Sequence, residues 1–336
     1  MIPIQNIYYM LSYAFQVLNE QGYKNIATEQ FNNTGELMAA ILEKGIAIQL
    51  KRGLGKEYIP QTEALSSLRG KIDIAESIKT QSMLRKQLIC TYDEFSVNSI
   101  MNRIIKSTVE LLLRSNISKQ RKKNLRKLMV YFSEVDFIDL YTVNWNVQYN
   151  RNNQTYRMLI SICYLVVKGL LQTQSNGHTK LMDFLDEQRM CRLYEKFILE
   201  YYRREFKNQI TANASQIPWQ LDNEENSMLP VMQSDIMLQS GEKVLIIDAK
   251  YYEHSTQVQF DKHTLHSGNL YQIFTYVKNK EYELREKDHT VSGMLLYAKT
   301  DEAIYPNNVY QMSGNQITVR TLDLNLPFTE IAEQLN

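Results

Sequence analysis

The most informative stretch of the 336-residue chain is VLIIDAK, residues 244–250, in which four apolar residues precede Asp248, Ala249 and Lys250. A short apolar run bounded by turn residues is typical of a buried β-strand. Side chains alternate between the two faces of a strand, so Asp248 and Lys250 point to the same side. The strand therefore ends in a carboxylate and an ammonium group placed side by side.

A second aspartate lies upstream, in PVMQSD, residues 230–235. A strand is predicted over residues 234–238, and the polar, glycine-containing segment 239–242 predicts a hairpin-like connection to the next strand. If the two strands pair antiparallel, Asp235 comes close to Asp248. Two converging carboxylates and a backbone carbonyl such as that of Ala249 form a hard oxygen site suited to Mg²⁺, with Mn²⁺ as a substitute.

This arrangement predicts hydrolysis of a phosphodiester. A divalent cation there would polarise a phosphate and lower the pKa of water, and Lys250 would orient the water or stabilise negative charge on the phosphate. The competing interpretation is that Asp248 and Lys250 are exposed charges at a strand end that form a weak ion pair.

The flanking sequence predicts two domains of mixed class. Helical spacing of apolar residues indicates helices over residues 7–18, 36–50, 97–114, 118–132, 157–172, 186–206 and 269–279, and another strand is indicated over 291–297. The pattern of apolar and polar residues changes near Gly177. We expect an α+β or α/β chain in which residues 1–175 form a helix-rich domain with short strands and residues 176–336 form a mixed sheet flanked by helices.

Composition narrows the class of protein. A formal net charge of only +1 argues against a broad basic surface for nucleic acid, and three widely separated cysteines indicate neither a disulfide framework nor a zinc knuckle. The sequence shows neither a secretory signal nor a membrane-spanning stretch, so we expect a cytoplasmic protein. GLGKE, residues 53–57, is too short for a phosphate-binding loop and ends in the wrong residue, so the sequence offers no such loop for a nucleotide.

The order of these residues resembles the PD-(D/E)xK nuclease superfamily, although Pro230 lies five residues before Asp235 instead of adjacent to it. LYQIFTY, residues 270–276, is similar to the Gln-x-x-x-Tyr helix motif of the RecB-like branch. That resemblance implies that Gln272 and Tyr276 position Lys250 or the DNA backbone. It also implies that Glu195, in LYEKF, completes the metal shell or orients a water.

Segments throughout the chain resemble McrC, the family of nuclease subunits of modified-cytosine restriction systems. They are IPIQNIYYMLSYA (2–14), RGKID (69–73), NRIIKST (102–108), LYEKF (193–197) and DAKYY (248–252). The resemblance implies an endonuclease that cuts double-stranded DNA carrying modified cytosine, with Mg²⁺ held by Asp235, Asp248, Ala249 and Glu195. It further implies an AAA+ GTPase ring as the partner that binds GTP, docking through residues 1–175, and dimerisation for cleavage of both strands.

Several alternatives stay open at this stage. The chain could be a non-catalytic adaptor that activates the GTPase, or a stand-alone RecB-like nuclease. The basic run over residues 119–127 fits a solvated helix face better than a phosphate contact, and RGKID fits a structural turn nearly as well as a partner-facing hairpin. The tyrosines at positions 8, 9 and 13 pack in a core more readily than they form an interface.

Overall fold

The computed structural model describes residues 2–19, 23, 26, 29, 31, 33–151, 153–175, 187–222, 228–252, 257–259, 262–299 and 305–336. The chain divides into two compact units. The terminal unit combines both ends of the chain, Met1–Ala27 and Leu185–Asn336, and the central unit is Thr28–Phe184.

The described residues contain the following elements. The helices are α1 (Ile4–Ala14), α2 (Thr34–Arg52), α3 (Ile74–Lys79), α4 (Ile100–Arg114), α5 (Lys119–Met129), α6 (Tyr156–Ser175), α7 (Glu187–Glu205), α8 (Ser267–Glu283) and α9 (Phe328–Leu335). The strands are β1 (Glu57–Leu65), β2 (Lys71–Asp73), β3 (Leu88–Ser96), β4 (Thr211–Asn213), β5 (Gln216–Ile217), β6 (Met232–Gln233), β7 (Ile236–Ser240), β8 (Lys243–Lys250), β9 (Gln257–Gln259), β10 (Lys262–Thr264), β11 (Thr290–Ala298), β12 (Asn308–Met312) and β13 (Asn315–Leu322). Short 3-10 helices cover Gln16–Asn19, Ser82–Arg85 and Val130–Phe132.

The terminal unit is built on a six-stranded mixed sheet with the strand order β12-β13-β11-β8-β7-β4. Strand β11 pairs parallel with both β8 and β13, whereas the β7–β8, β4–β7 and β12–β13 pairs are antiparallel. The predicted hairpin between β7 and β8 is confirmed, and pairing of Ser240 with Lys243 narrows its connection to two residues. Gly241 has φ +57, a left-handed conformation that glycine adopts without strain. The mixed sheet expected for the C-terminal half is present.

Helix α8 packs on one face of this sheet and forms its main apolar core. Gly293 on β11 makes this close packing possible, because a Cβ there would lie 2.8 Å from Ile273 and 2.9 Å from Val277. The buried residues of this cluster are Ile217, Met232, Met237, Val244, Ile246, Ile273, Tyr276, Val277, Val291, Leu295, Tyr297, Ile317 and Val319. Strand β8 contributes Val244 and Ile246, so the alternation of side chains puts Asp248 and Lys250 on the same face, beneath α8.

Helix α1 belongs to the terminal unit, which differs from the predicted domain of residues 1–175. The Asn6 side chain is buried and donates hydrogen bonds to the carbonyl oxygens of Leu324 and Leu326, at 2.7 and 2.8 Å. The Tyr9 ring stacks on Phe328 with centroids 4.5 Å apart, and Tyr13 donates to a Glu205 oxygen at 2.8 Å. These long-range contacts carry no periodic signal, so the sequence did not indicate them. Core packing is confirmed for Tyr8 and Tyr13, which are buried, whereas Tyr9 is half-buried.

The central unit combines packed helices with a three-stranded antiparallel sheet of order β1-β3-β2. The predicted helices over 36–50, 118–132 and 157–172 correspond to α2, to α5 with its short 3-10 extension, and to α6. The described part of the chain has no helix that combines the length and the apolar character needed to cross a membrane.

One member of the basic run is structural. Arg121 on α5 pairs with Glu43 at 2.8 Å and Glu36 at 3.4 Å, and also with Glu29. Among its basic neighbours, Lys119, Lys123, Arg126 and Lys127 are exposed, as expected for a solvated helix face.

Candidate active site

The candidate site lies at the end of the β7–β8 hairpin that is farther from its turn, where the pairing of the two strands stops. Strand β7 begins at Ile236, opposite Ile247, so Asp235 lies just before it while β8 continues to Lys250. The N–H of Ala249 donates to Asp235 Oδ2 at 2.9 Å. Because the N–H and C=O of a strand residue point to the same side, the Ala249 carbonyl also faces Asp235. The hairpin thus brings the upstream aspartate to the end of the VLIIDAK strand.

Asp248 is fully buried, and its partner is Lys250. The Lys250 Nζ atom lies 2.8 Å from Asp248 Oδ2, with side-chain exposures of 14% and 1%. Within the described residues neither Asp248 oxygen has a hydrogen-bond partner of good geometry, so the ammonium acts through proximity of charge. A buried carboxylate without hydrogen-bond donors is costly unless cations surround it. The interpretation of Asp248 and Lys250 as exposed charges is therefore wrong.

Helix α8 extends this pair into a chain of polar contacts. Lys250 Nζ donates to Gln272 Oε1 at 3.3 Å, and Gln272 Nε2 donates to the Tyr276 hydroxyl at 2.9 Å. Gln272 and Tyr276 are four residues apart and so share one helix face. Tyr276 is itself anchored in the apolar core. The Gln-x-x-x-Tyr pair thereby fixes the direction in which the ammonium points.

The electrostatics of the site follow from burial of like charges. Burial raises the pKa of Asp235 above its ordinary value, and the nearby charges of Asp248 and Glu195 raise it further. Burial alone would lower the pKa of Lys250, but the adjoining Asp248 carboxylate holds it above its usual range. The ammonium is thus charged at neutral pH, while negative charge on Asp235 is disfavoured unless another cation is present.

Glu195 enters from helix α7. It is half-buried, and its charge acts on Asp235. One turn earlier, the Cys191 thiol donates to Glu195 Oε1 at 3.0 Å and lies 4.0 Å from the Ala249 carbonyl oxygen. Burial and then the hydrogen bond to Glu195 raise the pKa of this thiol to about 12. Sequence reasoning missed Cys191, although its position four residues before Glu195 placed both on one helix face.

The donor set fits a hard divalent cation. Three carboxylates and one ammonium, from Asp235, Asp248, Glu195 and Lys250, sum to a formal charge of −2, which one Mg²⁺ would neutralise. The two Asp248 oxygens without hydrogen-bond partners are buried acceptors of the kind that such a cation takes. Across the residues that the structure describes, His, Cys, Asp and Glu side chains do not form a ready group of three or more metal ligands. The fit therefore rests on the two aspartates and backbone oxygen.

Most of the chain is similar in sequence to known restriction-system proteins. A family model described as "McrBC 5-methylcytosine restriction system component" matches residues 5–298. A curated relative from Escherichia coli K12, "Type IV methyl-directed restriction enzyme EcoKMcrBC", is 30% identical over 340 residues, covering 99% of this chain and 96% of the relative.

Two solved structures from Thermococcus gammatolerans are similar in outline. One, a half-complex of McrB AAA+ hexamers with bound McrC, has 17% identity and a TM-score of 0.48, covering 99% of this chain and 74% of that one. The other, a McrBC complex, has 21% identity and a TM-score of 0.43, covering 61% of this chain and 59% of that one. The family match and the curated relative together show that the chain belongs to the McrBC 5-methylcytosine restriction system components.

Proposed function

We propose that the chain is the DNA-cleaving subunit of a modification-dependent restriction complex, with a PD-(D/E)xK nuclease centre in its terminal unit. The observation that carries this proposal is the convergence of Asp235 and Asp248 beside Lys250, where the buried Asp248 oxygens lack hydrogen-bond partners within the described residues. The single ion pair with Lys250 leaves this buried carboxylate short of hydrogen-bond donors, which favours a further cation beside it. Family membership makes DNA the expected substrate.

Asp235, Asp248 and the carbonyl of Ala249 would hold Mg²⁺, or Mn²⁺ in its place. When bound, the ion supplies Lewis-acid assistance to phosphodiester hydrolysis. Lys250, held between Asp248 and Gln272, places a fixed positive charge against a phosphate whose negative charge grows in the transition state. Glu195 completes the metal shell or orients a water from the α7 side, and Tyr276 holds Gln272 in place.

The central unit would dock on a GTPase partner, as the McrC in the Thermococcus gammatolerans assembly is bound to McrB AAA+ hexamers. Its three-stranded sheet and the short 3-10 helix before β3 leave large apolar side chains in solvent, including Tyr58 on β1 at 72% and Leu84 in the 3-10 helix at 81% exposure. Exposed apolar surface of this extent is typical of protein interaction sites. We propose that the partner binds GTP and that its ring delivers DNA to the terminal unit.

The substrate would be double-stranded DNA carrying modified cytosine, read by the partner. Cleavage of both strands would bring two copies of the terminal unit together.

The proposal is tested by Asp248→Ala in the complete complex with its GTPase partner, GTP and Mg²⁺. We expect the variant to lose cleavage of methylated DNA and to retain GTPase stimulation, since the central unit is unaltered. The matched control is Glu242→Ala, which removes an exposed carboxylate from the turn of the same hairpin. Undiminished cleavage by Asp248→Ala would contradict the site. Cleavage absent from the unmodified complex would favour an adaptor, and cleavage by the unmodified chain alone would favour a stand-alone nuclease.

A further inference from the structure

A thiol adjoins the Glu195 carboxylate of the candidate site. Cys191 and Glu195 lie one turn apart on α7, and the thiol donates to Glu195 Oε1 at 3.0 Å. The other two cysteines, Cys90 and Cys163, are buried, whereas Cys191 is half-buried beside the strand that carries the aspartates. The thiol therefore makes a directed polar contact at the site instead of filling a core.

The same thiol also faces strand β8. Its Sγ atom lies 4.0 Å from the carbonyl oxygen of Ala249, the backbone group proposed as a metal ligand. On the next residue back, the Asp248 oxygens are buried without hydrogen-bond partners in the described part of the chain. These unsatisfied acceptors point independently to a cation at this end of β8.

We propose that Cys191 is a positioning residue that ties the Glu195 carboxylate to the metal-binding end of β8 and thereby sets the affinity of the site for divalent cations. This inference rests on the function proposed above. A half-buried glutamate has three rotatable side-chain bonds, and ordering them on metal binding costs conformational entropy. A donor that already holds one carboxylate oxygen removes part of that cost.

Hydrogen bonds behind the ligands are known to matter for metal sites in general. Loss of such an outer partner typically weakens metal affinity by roughly 10-fold to 100-fold. The contribution of residue 191 to metal affinity should depend on its hydrogen-bond donor and not on sulfur, because a serine hydroxyl also donates a hydrogen bond. It should also depend on Glu195, through which the thiol acts.

The experiment measures Mn²⁺ binding by the full chain from the free-ion electron paramagnetic resonance signal. The variants are Cys191→Ala, Cys191→Ser, Glu195→Ala and the double variant Cys191→Ala with Glu195→Ala, and Asp248→Ala serves as the site control. We expect Cys191→Ala to bind Mn²⁺ about 10-fold more weakly. Cys191→Ser should bind nearly as the unmodified chain does, and the double variant no more weakly than Glu195→Ala alone.

Three results would overturn the positioning role. They are undiminished Mn²⁺ affinity in Cys191→Ala, equal weakening in the serine and alanine variants, and additive weakening in the double variant. Each variant should stimulate the GTPase activity of the partner as the unmodified chain does. Unchanged stimulation excludes misfolding as the cause of weaker Mn²⁺ binding. If Asp248→Ala binds Mn²⁺ as tightly as the unmodified chain, the metal site and the proposed function both fail. If only Asp248→Ala loses binding, the site stands and Cys191 has no part in it.

Discussion

Each unit of the molecule buries a carboxylate, but Glu36 of the central unit has hydrogen-bond donors whereas Asp248 of the terminal unit lacks them among the described residues. Glu36 accepts from the Ser118 backbone and hydroxyl at 2.8 Å each, and Glu43 accepts from Arg121 and Asn124 at 2.8 and 3.0 Å. Two acids there share one guanidinium and several neutral donors. In the terminal unit, Asp248 has a single ammonium beside it and lacks a well-formed hydrogen bond among the described residues.

The difference separates a structural network from a site that needs a further ligand. Buried carboxylates with a structural role have all their oxygens hydrogen-bonded, because a buried acceptor without a hydrogen bond costs about 1–3 kcal/mol. The central network meets that condition with protein groups alone. The aspartates of the terminal unit do not, and a divalent cation is the group that their oxygens suit. Substitutions in the two regions should therefore damage different properties.

The largest expected effect comes from Lys250→Met, which removes the ammonium and keeps much of its apolar stem. We expect single-turnover cleavage of methylated DNA by the assembled complex to fall by about 10³-fold, because charge on the phosphate loses its fixed counter-charge. Lys243→Met at the exposed start of the same strand is the control and should cleave normally. Equal cleavage by both variants would remove Lys250 from the chemistry.

Arg121→Met should break the network of buried polar contacts around Glu36 and Glu43 in the central unit and leave DNA cleavage unchanged. It leaves Glu36 and Glu43 without their shared cation, and we expect the free energy of unfolding in urea to drop by about 3 kcal/mol. Arg126→Met, on the exposed face of the same helix, should change it by less than about 0.5 kcal/mol. Indistinguishable unfolding curves for the two variants would mean that the central network is not structural.

A third prediction concerns pH and Asp235. Burial and the neighbouring carboxylates raise its pKa from 3.8 to about 8. Between these two values, the folded state holds a proton that the unfolded state has released, so stability falls as pH rises. With chelator present, we expect a loss on the order of 2 kcal/mol between pH 5 and pH 8.

Asp235→Asn removes this titration and supplies its control. As pH rises, the free energy of unfolding of the unmodified chain should fall steadily relative to that of the variant. Mg²⁺ should abolish this fall in the unmodified chain. A difference that is constant with pH would contradict the raised pKa.

The smallest effect is expected from Gln272→Leu. Loss of the amide frees Lys250 from one of its two partners, and cleavage should fall about 10-fold while Mn²⁺ binding is kept. Tyr276→Phe, which removes only the acceptor for Gln272, should cost less than that. A larger loss in the phenylalanine variant would show that the hydroxyl acts on the substrate directly.

The sequence predicted the elements with a clear repeat and failed where structure depends on distant contacts. Strands β7 and β8 and helix α8 were all predicted, because their apolar residues recur with the period of a strand or a helix. The same alternation placed Asp248 and Lys250 on one face. The predicted hairpin brought Asp235 close to this pair. Glu195, Gln272 and Tyr276 required the resemblance to a known family, since no local pattern links them to Asp248 and Lys250.

Three features stayed beyond sequence reasoning. The placement of α1 in the terminal unit depends on Asn6 reaching Leu324 and Leu326, more than 300 residues away, and an isolated asparagine carries no signal of such a partner. Strands β12 and β13 and helix α9 were not predicted. Cys191 stayed unnoticed because its only signal, the four-residue spacing to Glu195, gains meaning once Ala249 is known to lie nearby.

The most direct test of a metal centre at the end of β8 is anomalous scattering from crystals of the chain grown or soaked with Mn²⁺. We expect an anomalous peak bounded by the Asp235 and Asp248 carboxylates and the carbonyl of Ala249. That peak should be lost in Asp248→Ala crystals treated alike. No peak there at saturating Mn²⁺, or a peak only at another place in the fold, would contradict a metal-dependent centre at the end of β8.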